Sequence, residues 1–107
     1  MMSAELFIKF NDKEWLEKNK LKVIDKLKEL KSFSVFDSEK KVVYLKDESG
    51  DNGWVYDVRF FFHENYIFFE VSSHGETVTS DLISFFGWLR NNTTISIEDE
   101  DGELSSW

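Results

Sequence analysis

The chain has 107 residues, 41% of them hydrophobic and 17% aromatic, with no cysteine, no proline and a formal net charge of −8. That length suits a single domain spanning residues 1–107 with one core, and so many aromatics exclude a disordered acidic tail. The lack of Cys excludes disulfides and thiolate metal sites, and the negative field disfavours nucleic acid and anionic membranes as partners.

Glu5 to Phe10 alternates, with Leu6, Ile8 and Phe10 on one side and Glu5, Phe7 and Lys9 on the other, which predicts a first strand. Phe7 leaves the second face only partly polar. The residues before it show no basic region followed by an apolar stretch, so no signal peptide is expected. Asn11 or Asp12 is placed to cap a helix running to about Lys31, with Leu16, Val23, Leu27 and Leu30 on one stripe and Ile24 beside it. Asn19 and Lys20 interrupt that stripe, which leaves open two shorter helices. Lys alternates with Glu and Asp on the outer positions, as on a solvated face.

A short strand at Phe33 to Phe36 is followed by a β-branched and aromatic run from Lys41 to Lys46, which predicts another. Asp47 to Gly53 is turn chemistry throughout. Next, Trp54, Tyr56, Val58, Phe60 and Phe62 fall on one side of a strand, predicted to face the core, and Val55, Asp57, Arg59, Phe61 and His63 on the other. Glu64-Asn65 reads as a two-residue turn returning into an antiparallel strand from Tyr66 to Val71. Thr79 or Ser80 is placed to cap a helix from about Asp81 to Arg90. Its apolar residues, Leu82, Ile83, Phe85, Phe86, Trp88 and Leu89, occupy nearly every side and leave a narrow stripe of Asp81, Ser84, Gly87 and Asn91. Such a helix is either central to the core or covered by another chain. Its apolar cluster is far shorter than the ~20 residues that span a bilayer. Ile95 and Ile97 alternate with Thr94, Ser96 and Glu98 in a last strand. The order of elements predicts an α+β fold, a mainly antiparallel sheet with two principal helices packed on it.

No catalytic or cofactor-binding set emerges. His63 and His74 are separated by a predicted strand, and Ser72 and Ser73 beside His74 do not make a nucleophile and base by adjacency. Asp47, Ser49 and Asp51 imitate the first ligands of an EF-hand loop, but Asn52 stands where Gly is required and Val58 where the bidentate Glu belongs. No metal and no cofactor are expected. Trp54, Tyr56, Phe60 and Phe62 suggest a platform for stacking bases, which the net charge opposes.

The charge is the strongest signal. Residues 1–31 carry eight Lys against six acids, whereas residues 32–107 carry five Lys or Arg against fifteen, balances of +2 and −10. Five of the six residues from Glu98 to Glu103 are acidic. A field of this sign steers cationic surfaces inward. The candidate partner-binding residues are therefore Asp47, Glu48 and Asp51 in the central loop and Glu98, Asp99, Glu100, Asp101 and Glu103 near the end of the sequence. Trp107 beside them has the character of an interface anchor within a charged rim.

A small, Cys-free, acidic and aromatic-rich α+β domain without a catalytic set resembles the immunity proteins that protect bacteria from their own toxins, including those of contact-dependent growth inhibition systems. The resemblance is one of overall character along the whole chain and carries no site residue over. It implies a cognate protein toxin, often a nuclease with a cationic cleft, blocked by tight binding; the absence of Cys adds the expectation of a reducing cytoplasm, and the missing catalytic set that of no enzymatic activity. The rival expectation is a homodimeric or adaptor interaction module using the apolar second helix. A third is a small enzyme using His63 or His74.

Overall fold

The computed structural model describes residues 4–47, 56–72 and 75–107. Strand β1 (Ala4–Phe10) is followed by helix α1 (Lys13–Lys28), strands β2 (Phe33–Asp37), β3 (Val42–Leu45), β4 (Val58–Phe62) and β5 (Tyr66–Val71), helix α2 (Glu76–Asn92) and strand β6 (Ile95–Asp99). The strands form one sheet in the order β2-β3-β4-β5-β1-β6, each pair of neighbours antiparallel. The expected α+β architecture is present.

Period-two alternation decides which side of the sheet is buried. Leu6, Ile8 and Phe10 of β1, Val58, Phe60 and Phe62 of β4, and Ile67, Phe69 and Val71 of β5 are buried in one cluster with stripes from both helices. Phe60 packs on Phe69 and Phe85, with ring centroids 5.4 and 5.5 Å apart, and Phe69 packs on Phe86 at 5.4 Å. Both helices thus cover the same face, and the described elements leave the other face open.

Asp12 caps α1 with extended backbone angles, its side chain accepting from the Glu14 N–H. The helix is continuous through Asn19, whose side-chain amide donates to the Trp15 carbonyl at 2.8 Å. It stops at Lys28, short of the expected Lys31, because Glu29 and Leu30 donate instead to carbonyls three residues back. That tightened turn carries Ser32 beneath α2, where its N–H and hydroxyl both donate to Asp81 Oδ2, at 2.8 and 2.6 Å.

Helix α2 departs from the sequence reading. It begins at Glu76, with Gly75 as cap residue and no side-chain cap bond from it, instead of near Thr79 or Ser80. Asp81, expected in a polar stripe, lies inside the helix and is only 8% exposed. The rest of α2 is mainly core: Val78, Leu82, Phe85, Phe86 and Leu89 are buried, Trp88 packs edge-on to Trp15, and Ile83 is left 62% exposed. The two-residue turn at Glu64-Asn65 is present, bracketed by a bond from His63 N–H to the Tyr66 carbonyl. Trp54 and Val55, expected at the start of the strand that precedes this turn, lie outside the described residues.

Candidate protein-binding surface

The residues from Glu98 to Glu103 form an ordered acidic turn at the edge of the sheet. β6 pairs with β1 on one side, and on the other the chain doubles back so that Leu104 bridges Glu98, Glu103 carbonyl accepts from Asp99 N–H, and Ser105 N–H donates to the Ile97 carbonyl. Asp99 organises the reversal. Its Oδ1 accepts from the N–H groups of Asp101 and Glu103, at 2.9 and 3.0 Å, and its carbonyl accepts from Gly102, whose φ of +81° favours glycine. Glu100, Asp101 and Glu103 are left exposed. Glu98 is different: its carboxylate accepts from Lys9 Nζ and Ser96 Oγ, each at 3.1 Å. These two hydrogen bonds, the Lys9 one the stronger, hold the Glu98 carboxyl below the ordinary glutamate range.

Asp47 does not join this group. It follows β3, separated from β6 by β4, β5 and β1, a lateral span of about 19 Å at the usual strand spacing. It is 6% exposed, its Oδ2 lies 3.5 Å from Val78 N at the start of α2, and its own N–H donates to Asp57 Oδ2 at 2.7 Å. The expectation that Asp47 presents a surface carboxylate is therefore corrected: it is an internal brace for a helix end. Glu48 and Asp51 lie outside the described residues, as do Ser73 and His74. Trp107 is corrected as well. Its ring packs on Phe86 at 6.0 Å, on the helix side, and its carbonyl accepts from Arg90, so its own chain half-buries the expected anchor.

The sequence reading missed the aromatic character of the open face, of which only Phe7 had given a sign. Phe7, Phe61, Tyr66 and Phe68 have the outward register in β1, β4 and β5. Phe7 contacts Phe68 at 5.0 Å and Tyr66 at 6.2 Å, and Phe68 contacts Phe61 at 5.6 Å. Next to Phe61, the Arg59 guanidinium lies 4.3 Å from the Tyr56 ring and 5.1 Å from the Phe61 ring, and donates to Glu70 at 2.6 Å. The signal was available in the second set of β4 residues, where Phe61 breaks the polar alternation. His63, expected at a strand end, stacks on Tyr66 at 4.4 Å.

Turn and face meet in one hollow of about 440 Å³, lined by Phe7 and Tyr66, by Lys9 and Lys13, and by Asp99 and Glu100. A second hollow of about 650 Å³ lies on the helix side between Ile83, Gly87, Arg90 and Trp107. Among the described residues, no group of three or more His, Asp or Glu is placed to hold a metal ion, and no helix is long and apolar enough to cross a membrane. Comparisons with protein-family models, with curated proteins and with solved structures find no match.

Proposed function

We propose that this chain is an inhibitor of a cationic protein, an immunity protein that neutralises a cognate toxin, with a basic nuclease as the toxin class its charge favours. The observation that carries the reading is the separation of charge across the domain. α1, on the covered side of the sheet, carries six Lys against Glu14, Glu17 and Asp25. The exposed acids of the turn at Glu100, Asp101 and Glu103 stand at the sheet's β6 edge, with their backbone fixed by Asp99. Carboxylates on a backbone fixed in this way leave only side-chain freedom to be lost against a cationic cleft, and their charge speeds its approach. The chain needs no chemistry of its own for this role.

The alternative is a homodimeric or adaptor module, favoured by the exposed Ile83 beside the hollow that reaches Trp107. The deciding experiment is affinity capture with the tagged protein from lysate of the organism that encodes it, washed at low and at high salt, with bound proteins identified by mass spectrometry. A single basic partner that survives the salt wash and is toxic when expressed alone supports inhibition. Recovery of only further copies of this chain supports the dimeric module instead.

A further inference from the structure

We infer that the open face of the sheet, centred on Phe7, Phe61 and Phe68, is the docking surface for a protein partner whose contact patch is both apolar and cationic. The inference rests on the reading of this chain as a binder of a basic protein and assigns the apolar centre of that interface. The three rings form a continuous row across β1, β5 and β4. Neither helix covers them, since both pack on the opposite face.

Charge selects the occupant. Outward positions of the described strands carry Glu5, Asp37, Glu70 and Glu98 against Lys9 and Arg59. Both strand cations are already engaged, Lys9 with Glu98 at 3.1 Å and Arg59 with Glu70 at 2.6 Å, so the outward strand positions have a negative excess, and Lys13 of α1 adds one cation at the hollow by the β6 edge. At its β6 edge, Asp99 and Glu100 line the same hollow as Phe7 and Tyr66. A nucleic acid brings phosphates to this excess, and a second copy brings another net charge of −8; both are repelled. A cationic partner is attracted, and its apolar residues find the aromatic row. The face spans roughly 24 by 17 Å at ordinary strand spacing and rise. That flat area is about half of the ~800 Å² per partner of a standard interface, so the acidic turn is needed to complete it.

The test uses the full chain, ¹⁵N-labelled, with a synthetic peptide of alternating arginine and leucine as probe, and a peptide of alternating glutamate and leucine and a uridine oligonucleotide as controls. Amide shifts caused by the arginine peptide are expected to concentrate on Phe7, Arg59, Phe61, Phe68 and Glu70 and to spare α1. Phe61→Ser with Phe68→Ser is expected to weaken binding about tenfold or more, as loss of central apolar anchors does. Glu100→Gln with Asp101→Asn should weaken it only about threefold, and mainly at low salt. Wild-type shift mapping reads the face even if the double serine variant fails to fold. Shifts centred on Ile83 overturn the inference, as does equal binding of either control or a dimer in which Phe68 is protected. If the capture experiment returns a basic toxin but the arginine peptide ignores the aromatic row, the face is wrong and inhibition stands. If neither binds, both fail.

Discussion

Asp47, two residues beyond β3, supplies from outside the helix the capping carboxylate that Gly75 cannot: its Oδ2 lies 3.5 Å from Val78 N, against Gly75. A Cβ on Gly75 would collide with that carboxylate, so glycine is required there by space and not by its backbone angles, which any residue adopts. The helix start is thereby tied to the central sheet across 31 residues of chain.

Asp47→Ala should accordingly lower unfolding stability by about 1–2 kcal/mol, the usual worth of an N-terminal capping carboxylate. Gly75→Ala should do similar damage by displacing the same group, and the double variant should cost less than the sum of the two. Denaturant unfolding of the three variants checks this. Strictly additive losses would mean that Asp47 and Gly75 act independently.

The pair formed by Ser32 and Asp81 is the second internal polar brace. Asp81→Ala leaves the Ser32 N–H and hydroxyl without this acceptor, both buried, and should cost about 2–3 kcal/mol. Ser32→Ala removes only the hydroxyl and should cost about 1 kcal/mol. Thermal or denaturant unfolding reads both. Equal losses would contradict the assignment of two separate bonds to Asp81.

Glu98 predicts an acid dependence of defined sign. Its carboxyl is held below the ordinary glutamate range, first by the Lys9 hydrogen bond and then by Ser96, so the folded state binds this proton less readily than the unfolded chain. The stabilisation is complete above the ordinary glutamate range and is lost as pH falls through the lowered folded value. Carboxyl ¹³C shifts followed through an acid titration should place Glu98 below a typical exposed glutamate. In Lys9→Ala the midpoint should rise, and the acid-side loss of stability should become shallower. An unmoved Glu98 midpoint in that variant would remove Lys9 as the cause.

The strands were legible because their signal is local: Leu6, Ile8 and Phe10, or Val58, Phe60 and Phe62, alternate within a few residues and are buried as alternation requires. The start of α2 was hidden because its cap comes from Asp47, and because Thr77, Val78 and Thr79 have modest helix propensity that tertiary packing overrides. The same long-range contacts moved Asp47, Asp81 and Trp107 from the surface assigned to them by composition into the interior or onto the core. Of the acidic candidates, Glu100, Asp101 and Glu103 stay together and exposed on one turn, since neighbours in sequence need no long-range contact to do so. The turn's relation to Phe7 and Tyr66 depends on β1 lying between β5 and β6, an order that no local pattern encodes.

The acidic turn allows charge and shape to be separated. Asp99 Oδ1 accepts from two backbone N–H groups, whereas Asp101 is exposed. Asp99→Ala should therefore release the amides of Asp101 and Glu103 to solvent while changing net charge by a single unit. Asp101→Asn changes charge by the same unit and leaves both bonds in place. Amide hydrogen exchange at Asp101 and Glu103 should speed by about tenfold or more in the first variant, the equivalent of about 1.4 kcal/mol of lost local protection, and stay near wild type in the second. Exchange that rises equally in both would show that repulsion among the carboxylates, and not the Asp99 bonds, sets the order of the turn. Exchange unchanged in Asp99→Ala would assign that order to the segment that doubles back along β6, through the bonds from Asp99 N–H to the Glu103 carbonyl and from Ser105 N–H to the Ile97 carbonyl.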